Sequence, residues 1–399
     1  MGVKIAWADS SPEQQRRMRE IAALFSERES REELGLASLR DDLADILFPG
    51  TSTLHTRAKY LLFVPWCYQI AMQRASPDAL HDTARRLERE LIRHFPQDSD
   101  RMGLIGAQAG AQVKSLPSSL YWRMLTVHRI VIPPQSPTAR RILAEADADS
   151  LPPLLMARGL PAAPEGFPRN VPGGFSLDAD QARWLQDTLQ MAEPHSVLAH
   201  LLRRRPDLTS RAPWEDPSVV SMPQIARDHM RIAEAFSLFI HGAQLLYNLL
   251  LAETHRRLTE EKNGPEPETG TDDLILDYRE RIHRWADEAE QAPAWDVEEL
   301  FHLVESRRRR GLPPGVRRFV HRWSRHLAID GPHGVATSSD ARRLVAAREQ
   351  LLKGPQSRLE NRRLLSQWSG ASGSARMVMR WNTVRTIIGD IWDGVDDGA

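Results

Sequence analysis

Residues 223–258 read PQIARDHMRIAEAFSLFIHGAQLLYNLLLAETHRRL. Ile225, His229, Ile232, Phe236, Phe239, Ala243, Leu246 and Leu250 recur at three- and four-residue intervals, which is the helical period. From Phe236 to Ala252 the stretch is apolar nearly all round. A helix without a polar face belongs in a large core or in a membrane. His241, Gln244 and Asn248 interrupt the apolar run, and a span needs roughly 20 mostly apolar residues. A central core helix is therefore expected over 223–258.

The flanking sequence is also helical. Apolar periodicity predicts helices at Leu36–Leu47, Leu54–Gln73, Asp78–Phe95, Leu274–Glu290, Val297–Arg309, Val316–Ile329, Ser339–Leu352, Ser357–Trp368 and Ala375–Asp393, with another opening at Pro117. Ser10-Ser11-Pro12-Glu13 is a helix start, a serine cap followed by proline. Only Val3–Trp7 reads as a strand. The expected class is mainly α: a multi-helix globular protein with a buried central helix in each half and at most a short N-terminal strand. Prolines punctuate residues 131–176, leaving room for one short helix at Thr138–Ala146. The expected division is 1–130, an N-terminal helical domain; 131–176, a proline-rich connector; 177–337, a central helical domain; and 338–399, a C-terminal three-helix unit. A second break is expected at Lys262–Thr271.

The chain has 399 residues, 41% hydrophobic and 27% charged, with zero formal net charge. Bulk-charge coating of nucleic acid is thereby disfavoured, while a local basic patch remains open. Of the 53 basic residues five are lysines and 48 arginines, as codon bias in a GC-rich genome would give. The single cysteine, Cys67, rules out an internal disulfide. The opening MGVKIAWADSSPEQQRR lacks a long apolar stretch, so a cytoplasmic location without membrane attachment is expected.

Metalloprotease, Walker, nucleophile-elbow and cysteine–histidine motifs are all missing. His195/His200 and His321/His326 are five apart, on different helix faces, so no metal and no cofactor is expected. Gly103, Gly106 and Gly110 before Lys114 lack the Walker spacing. Arg57, on the expected Leu54–Gln73 helix, needs a partner if buried. Either it pairs with Asp41, Asp42 or Asp45, or it joins amides after a Thr51–Thr53 cap in binding an anion. His241, Gln244 and Asn248 fit a buried hydrogen-bond network better than a cavity lining. Arg318, Arg322 and Arg325 share one helical face, with Phe319 and Trp323 between them. Arg376 and Arg380 lie one turn apart at the start of the expected last helix. That C-terminal unit has the outline of a DNA-binding three-helix module, and equally of a bundle cap.

Several longer stretches carry a resemblance: REELGLASLRDDLADILFPGTSTLHTRAKYLLFVPW at 31–66, LPSSLYW at 116–122, FSLFIHGAQLLYNLLLAE at 236–253, RLENRRLLSQWSG at 358–370 and MRW at 379–381. Together they resemble, over nearly the whole chain, an uncharacterised bacterial family, the one numbered six-three-six-one among domains of unknown function. The resemblance brings no activity and no catalytic residue. It implies a setting near restriction-type, helicase and phage-defence genes. The expected function is a noncatalytic accessory protein of a defence or DNA-processing system, binding DNA, RNA or a helicase or nuclease partner. Two alternatives stand beside it. One is an enzyme acting on nucleic acid or a phosphorylated substrate around Arg57 and Asp41–Asp45. The other is a scaffold that binds only protein.

Overall fold

The computed structural model describes residues 33–97, 99–133, 136, 154–263, 269–308 and 310–398. The expected strand at Val3–Trp7 and the helices expected near Ser10–Glu13 and Thr138–Ala146 lie outside them. The fold is mainly α. The helices are α1 Ala37–Leu47, α2 Tyr60–Arg74, α3 Leu80–His94, α4 Pro117–Val127, α5 Ala179–Ala192, α6 Val197–Arg203, α7 Gln224–Asn263, α8 Thr269–Gln291, α9 Val297–Arg307, α10 Pro314–Asp330, α11 Ser339–Lys353, α12 Arg362–Leu365 and α13 Trp381–Asp396. Two strands the sequence did not announce, β1 Val131–Ile132 and β2 Leu155–Met156, pair antiparallel with Val131 opposite Met156.

The chain forms two compact units. One takes the described residues up to Arg40 together with Ile232–Met377; the other takes Asp41–Arg231 together with Val378–Ala399. The described residues of the proline-rich stretch fall inside the second unit, and the division passes through α1 and α7.

In the first unit α8, α10 and α11 are all bonded to α7. By length and composition α7 could cross a membrane, but 83% of its apolar window is buried within the protein. Indole donors fasten its neighbours. Trp285 of α8 donates to the Leu238 carbonyl at 2.8 Å, and Trp323 of α10 to that of Phe239 at 2.8 Å. Gly242 lets α8 approach, because a Cβ there would overlap the Trp285 ring. Glu349 of α11 is fully buried. It accepts from the Tyr247 hydroxyl at 3.0 Å, from Ser357 Oγ and from the Arg358 amide at 2.8 Å. Those bonds and the Lys353 charge outweigh burial and hold its carboxyl below the usual range.

In the second unit α2 is buried over Tyr60–Tyr68. The expected Thr51–Thr53 cap does not form. Thr51 Oγ1 instead donates to the Phe48 carbonyl at 2.7 Å, closing the turn after α1. The chain then runs irregularly to Tyr60, and groups distant in sequence satisfy its amides. The Tyr121 hydroxyl accepts from the Thr56 and Arg57 amides at 2.7 and 3.0 Å, and Asp390 accepts from the Ala58 amide at 2.8 Å. A carboxylate at a helix N-terminus is favourable through hydrogen bonding and the helix dipole. α13 also starts later than expected. Met379 and Arg380 take positive φ values of 49° and 66°, breaking the helix expected from Ala375.

Candidate functional site

α10 carries the one group of sequence-selected arginines that reaches solvent together. Its inner face is fixed by Val316, Phe319, Val320 and Trp323, all buried. The aromatic interleaving seen in the sequence is therefore a core stripe, and neither Phe319 nor Trp323 is available for base stacking. On the outer face Arg318, Arg322 and Arg325 are exposed at i, i+4 and i+7. No ion pair involves any of the three among the described residues.

The neighbouring face of α10 behaves differently. Arg317 is held by Glu298 at 3.0 Å and Glu305 at 3.1 Å, with its guanidinium 4.7 Å from the Phe301 ring centroid. His321 meets Glu298 at 2.9 Å. The acids of α9 thus neutralise one edge of α10. Within α10 itself the only acid is Asp330, at the far end, where it pairs with His326 at 2.8 Å. Arg317 and Arg318 also lie near the positive, N-terminal end of the helix dipole. Cations there cost about 0.3–1 kcal/mol each; the α9 acids offset this for Arg317, while no ion pair among the described residues does so for Arg318.

The other arginines singled out in the sequence serve the fold. Arg57 precedes α2 and does not meet Asp41, Asp42 or Asp45. It makes a two-nitrogen contact with Asp390, Nε at 3.0 Å and Nη2 at 3.0 Å, and reaches Asp100 at 3.3 Å. Its guanidinium lies 5.0 Å from the Phe175 ring centroid. Arg380 takes the acids expected for Arg57, with Asp45 at 2.8 Å and Asp41 at 3.5 Å, and donates to the Thr51 carbonyl. Asp45 also binds Arg123 at 2.6 Å. These acids are engaged with arginines other than Arg57, so the constellation proposed for an enzyme does not assemble around it. Arg376, in the other unit, bridges Glu288 at 2.6 Å and donates to Ser237 Oγ at 3.2 Å.

The three polar residues of α7 divide. Asn248 is fully buried; its amide donates to the Gln244 and Ser372 carbonyls at 2.8 Å each and accepts from the Ser372 amide at 2.8 Å. It anchors the 370–374 loop. Gln244 is buried, and its Oε1 meets no hydrogen-bond donor among the described residues. His241 lines a small cleft of about 220 Å³ with Arg281, Arg284, Trp285 and Glu288. Burial first, then the charges of Arg281 and Arg376, push its pKa down to about 4.

Two groupings escaped the sequence. Lys59 lines a cavity of about 470 Å³ with Phe63, Trp66 and Asp178, and burial lowers its pKa to about 8. Its ammonium is tied to the Ser176 carbonyl at 2.6 Å and to Gln181. The only local signal was a lysine in an arginine-dominated chain. The second grouping is His283, Asp287 and His333. His283 and Asp287 have the i, i+4 spacing of helix ligands, but His333 comes from another segment.

The model of a family of unknown function, DUF6361, matches residues 2–395, and the chain belongs to that family. No curated protein and no solved structure matches it.

Proposed function

We propose that this protein is a noncatalytic helical accessory protein that binds nucleic-acid phosphates through the outer face of α10. The observation that carries the reading is the exposed trio Arg318, Arg322 and Arg325, set in one stripe without acid partners among the described residues. From Arg318 to Arg325 the helix rises roughly 10 Å. That is about three phosphate steps along one strand, at roughly 3.4 Å each. Guanidinium groups suit phosphate because their donors form a planar fork. With Phe319 and Trp323 buried, the face offers backbone contacts and no stacking platform, so binding without base preference follows. The resemblance-based setting of defence or DNA processing, with a helicase or nuclease partner, belongs to the same proposal.

Fluorescence anisotropy with a duplex and a single-stranded oligonucleotide of scrambled sequence tests it. The wild type is expected to bind with a Kd of roughly 1–100 µM near physiological salt. R318E/R322E/R325E should abolish that binding while keeping the helical circular-dichroism signal. Equal binding by the variant would remove α10 from the function. No binding by the wild type at low salt would leave the protein-only scaffold as the better account.

A further inference from the structure

We infer that His283, Asp287 and His333, joined by Glu290, form a binding site for a first-row transition-metal ion of the zinc class, clipping the end of α8 to the loop after α10. His283 Nδ1 lies 3.2 Å from Asp287 Oδ2, and His333 Nε2 lies 3.8 Å from the other oxygen, Asp287 Oδ1. Glu290 Oε2 approaches His333 Nε2 at 3.2 Å. The imidazole centroids are 5.7 Å apart with planes at 78°, and one ligand atom from each of His283, Asp287 and His333 lies within 4.8 Å of the others. Ligand atoms at about 2.0–2.1 Å from a tetrahedral zinc ion stand roughly 3.4 Å apart, so small rotamer adjustments close the set.

Local structure favours this convergence. His283, Asp287 and Glu290 lie at i, i+4 and i+7 along α8, which places them on one side of it. His333 is presented by a tight loop. Gly331 ends α10 at φ 72°, and the Val335 and Ser338 amides bond back to the Pro332 and Gly334 carbonyls at 3.3 and 2.9 Å. Two carboxylates gathered beside two imidazoles offer a divalent cation both charge and nitrogen donors. Two nitrogen and two oxygen donors suit zinc, cobalt or nickel better than calcium or magnesium. The set is solvent-facing, so its role is to fix the loop on α8 and not to nucleate folding.

The test is titration of chelator-treated full-length protein with Zn²⁺ by calorimetry and with Co²⁺ by visible absorption. One saturable site is expected, with a Co²⁺ d–d band and a Zn²⁺-dependent rise in Tm. H283A and H333A should each weaken binding by at least about tenfold and abolish the Tm rise. Both positions are exposed, and the helical circular-dichroism signal of each variant verifies its fold. The inference is overturned if both variants bind as the wild type does, or if the wild type shows no saturable binding below about 1 mM.

Discussion

Arg57 and Asp390 are 333 positions apart, yet their contact settles how α2 begins. One Asp390 oxygen faces the guanidinium and also accepts the Ala58 amide. The carboxylate thus balances a part-buried charge and caps the helix entering the core of its unit. Asp390→Ala removes both roles and is expected to destabilise by about 2–4 kcal/mol. Asp100→Ala, at the exposed side of the same arginine, should cost under about 1 kcal/mol. Urea unfolding of the two variants measures this, and equal effects would mean that Asp390 is no cap. The sequence announced that Arg57 needed an acid. It could not say which, because the nearby candidates Asp41 and Asp45 were claimed by Arg380, which no local pattern connects to them.

α7 shows which elements were legible. Its apolar period marked residues 223–258 as core, close to the observed Gln224–Asn263, because periodicity reports burial along a single element. Its contact with α8 offers a test in which two effects oppose. Helix propensity favours alanine over glycine by about 1 kcal/mol. At Gly242, however, a methyl group would collide with the Trp285 indole, which is held by its bond to the Leu238 carbonyl. Overpacking costs about 1–3 kcal/mol, so Gly242→Ala should lower stability and Tm. A stabilised variant would contradict the packing described. Helix boundaries depart from the periodicity where distant groups set them. α2 starts at Tyr60 because Tyr121 and Asp390 satisfy the preceding amides. The helix expected over 357–368 shrinks to Arg362–Leu365 because Ser357 and the Arg358 amide turn toward Glu349. The left-handed Met379 and Arg380 delay α13, and non-glycine residues give no sequence sign of that conformation. The α10 stripe was legible as a face. What the structure added is that its aromatic residues point inward while its three arginines point outward.

At the scale of the whole molecule, each unit holds a histidine kept neutral by its surroundings. Burial, then repulsion from Arg380, lowers the His55 pKa to about 4 in one unit, and His241 is lowered to about 4 in the other. Between the ordinary histidine value and these folded values the unfolded chain binds more protons, so stability falls as pH drops from about 6.5 toward 4. The loss is at most about 2 kcal/mol per histidine at pH 5. Glu349 acts in the same direction at lower pH: its depressed carboxyl lends stability above its unfolded pKa and loses it as pH falls through the folded one. Urea midpoints at pH 7.5 and 5.0 should therefore differ, with a smaller drop in His55→Gln; coincident midpoints would contradict the assignment. The proposed function rests on other charges, the α10 arginines that have no ion pair among the described residues. The most direct measurement is the slope of log binding constant against log salt for duplex DNA, with wild type beside R318A/R322A/R325A. Each lost phosphate contact is worth about 0.9 in slope, so the triple variant should have a slope shallower by about 2–3; an unchanged slope would contradict nucleic-acid binding by α10.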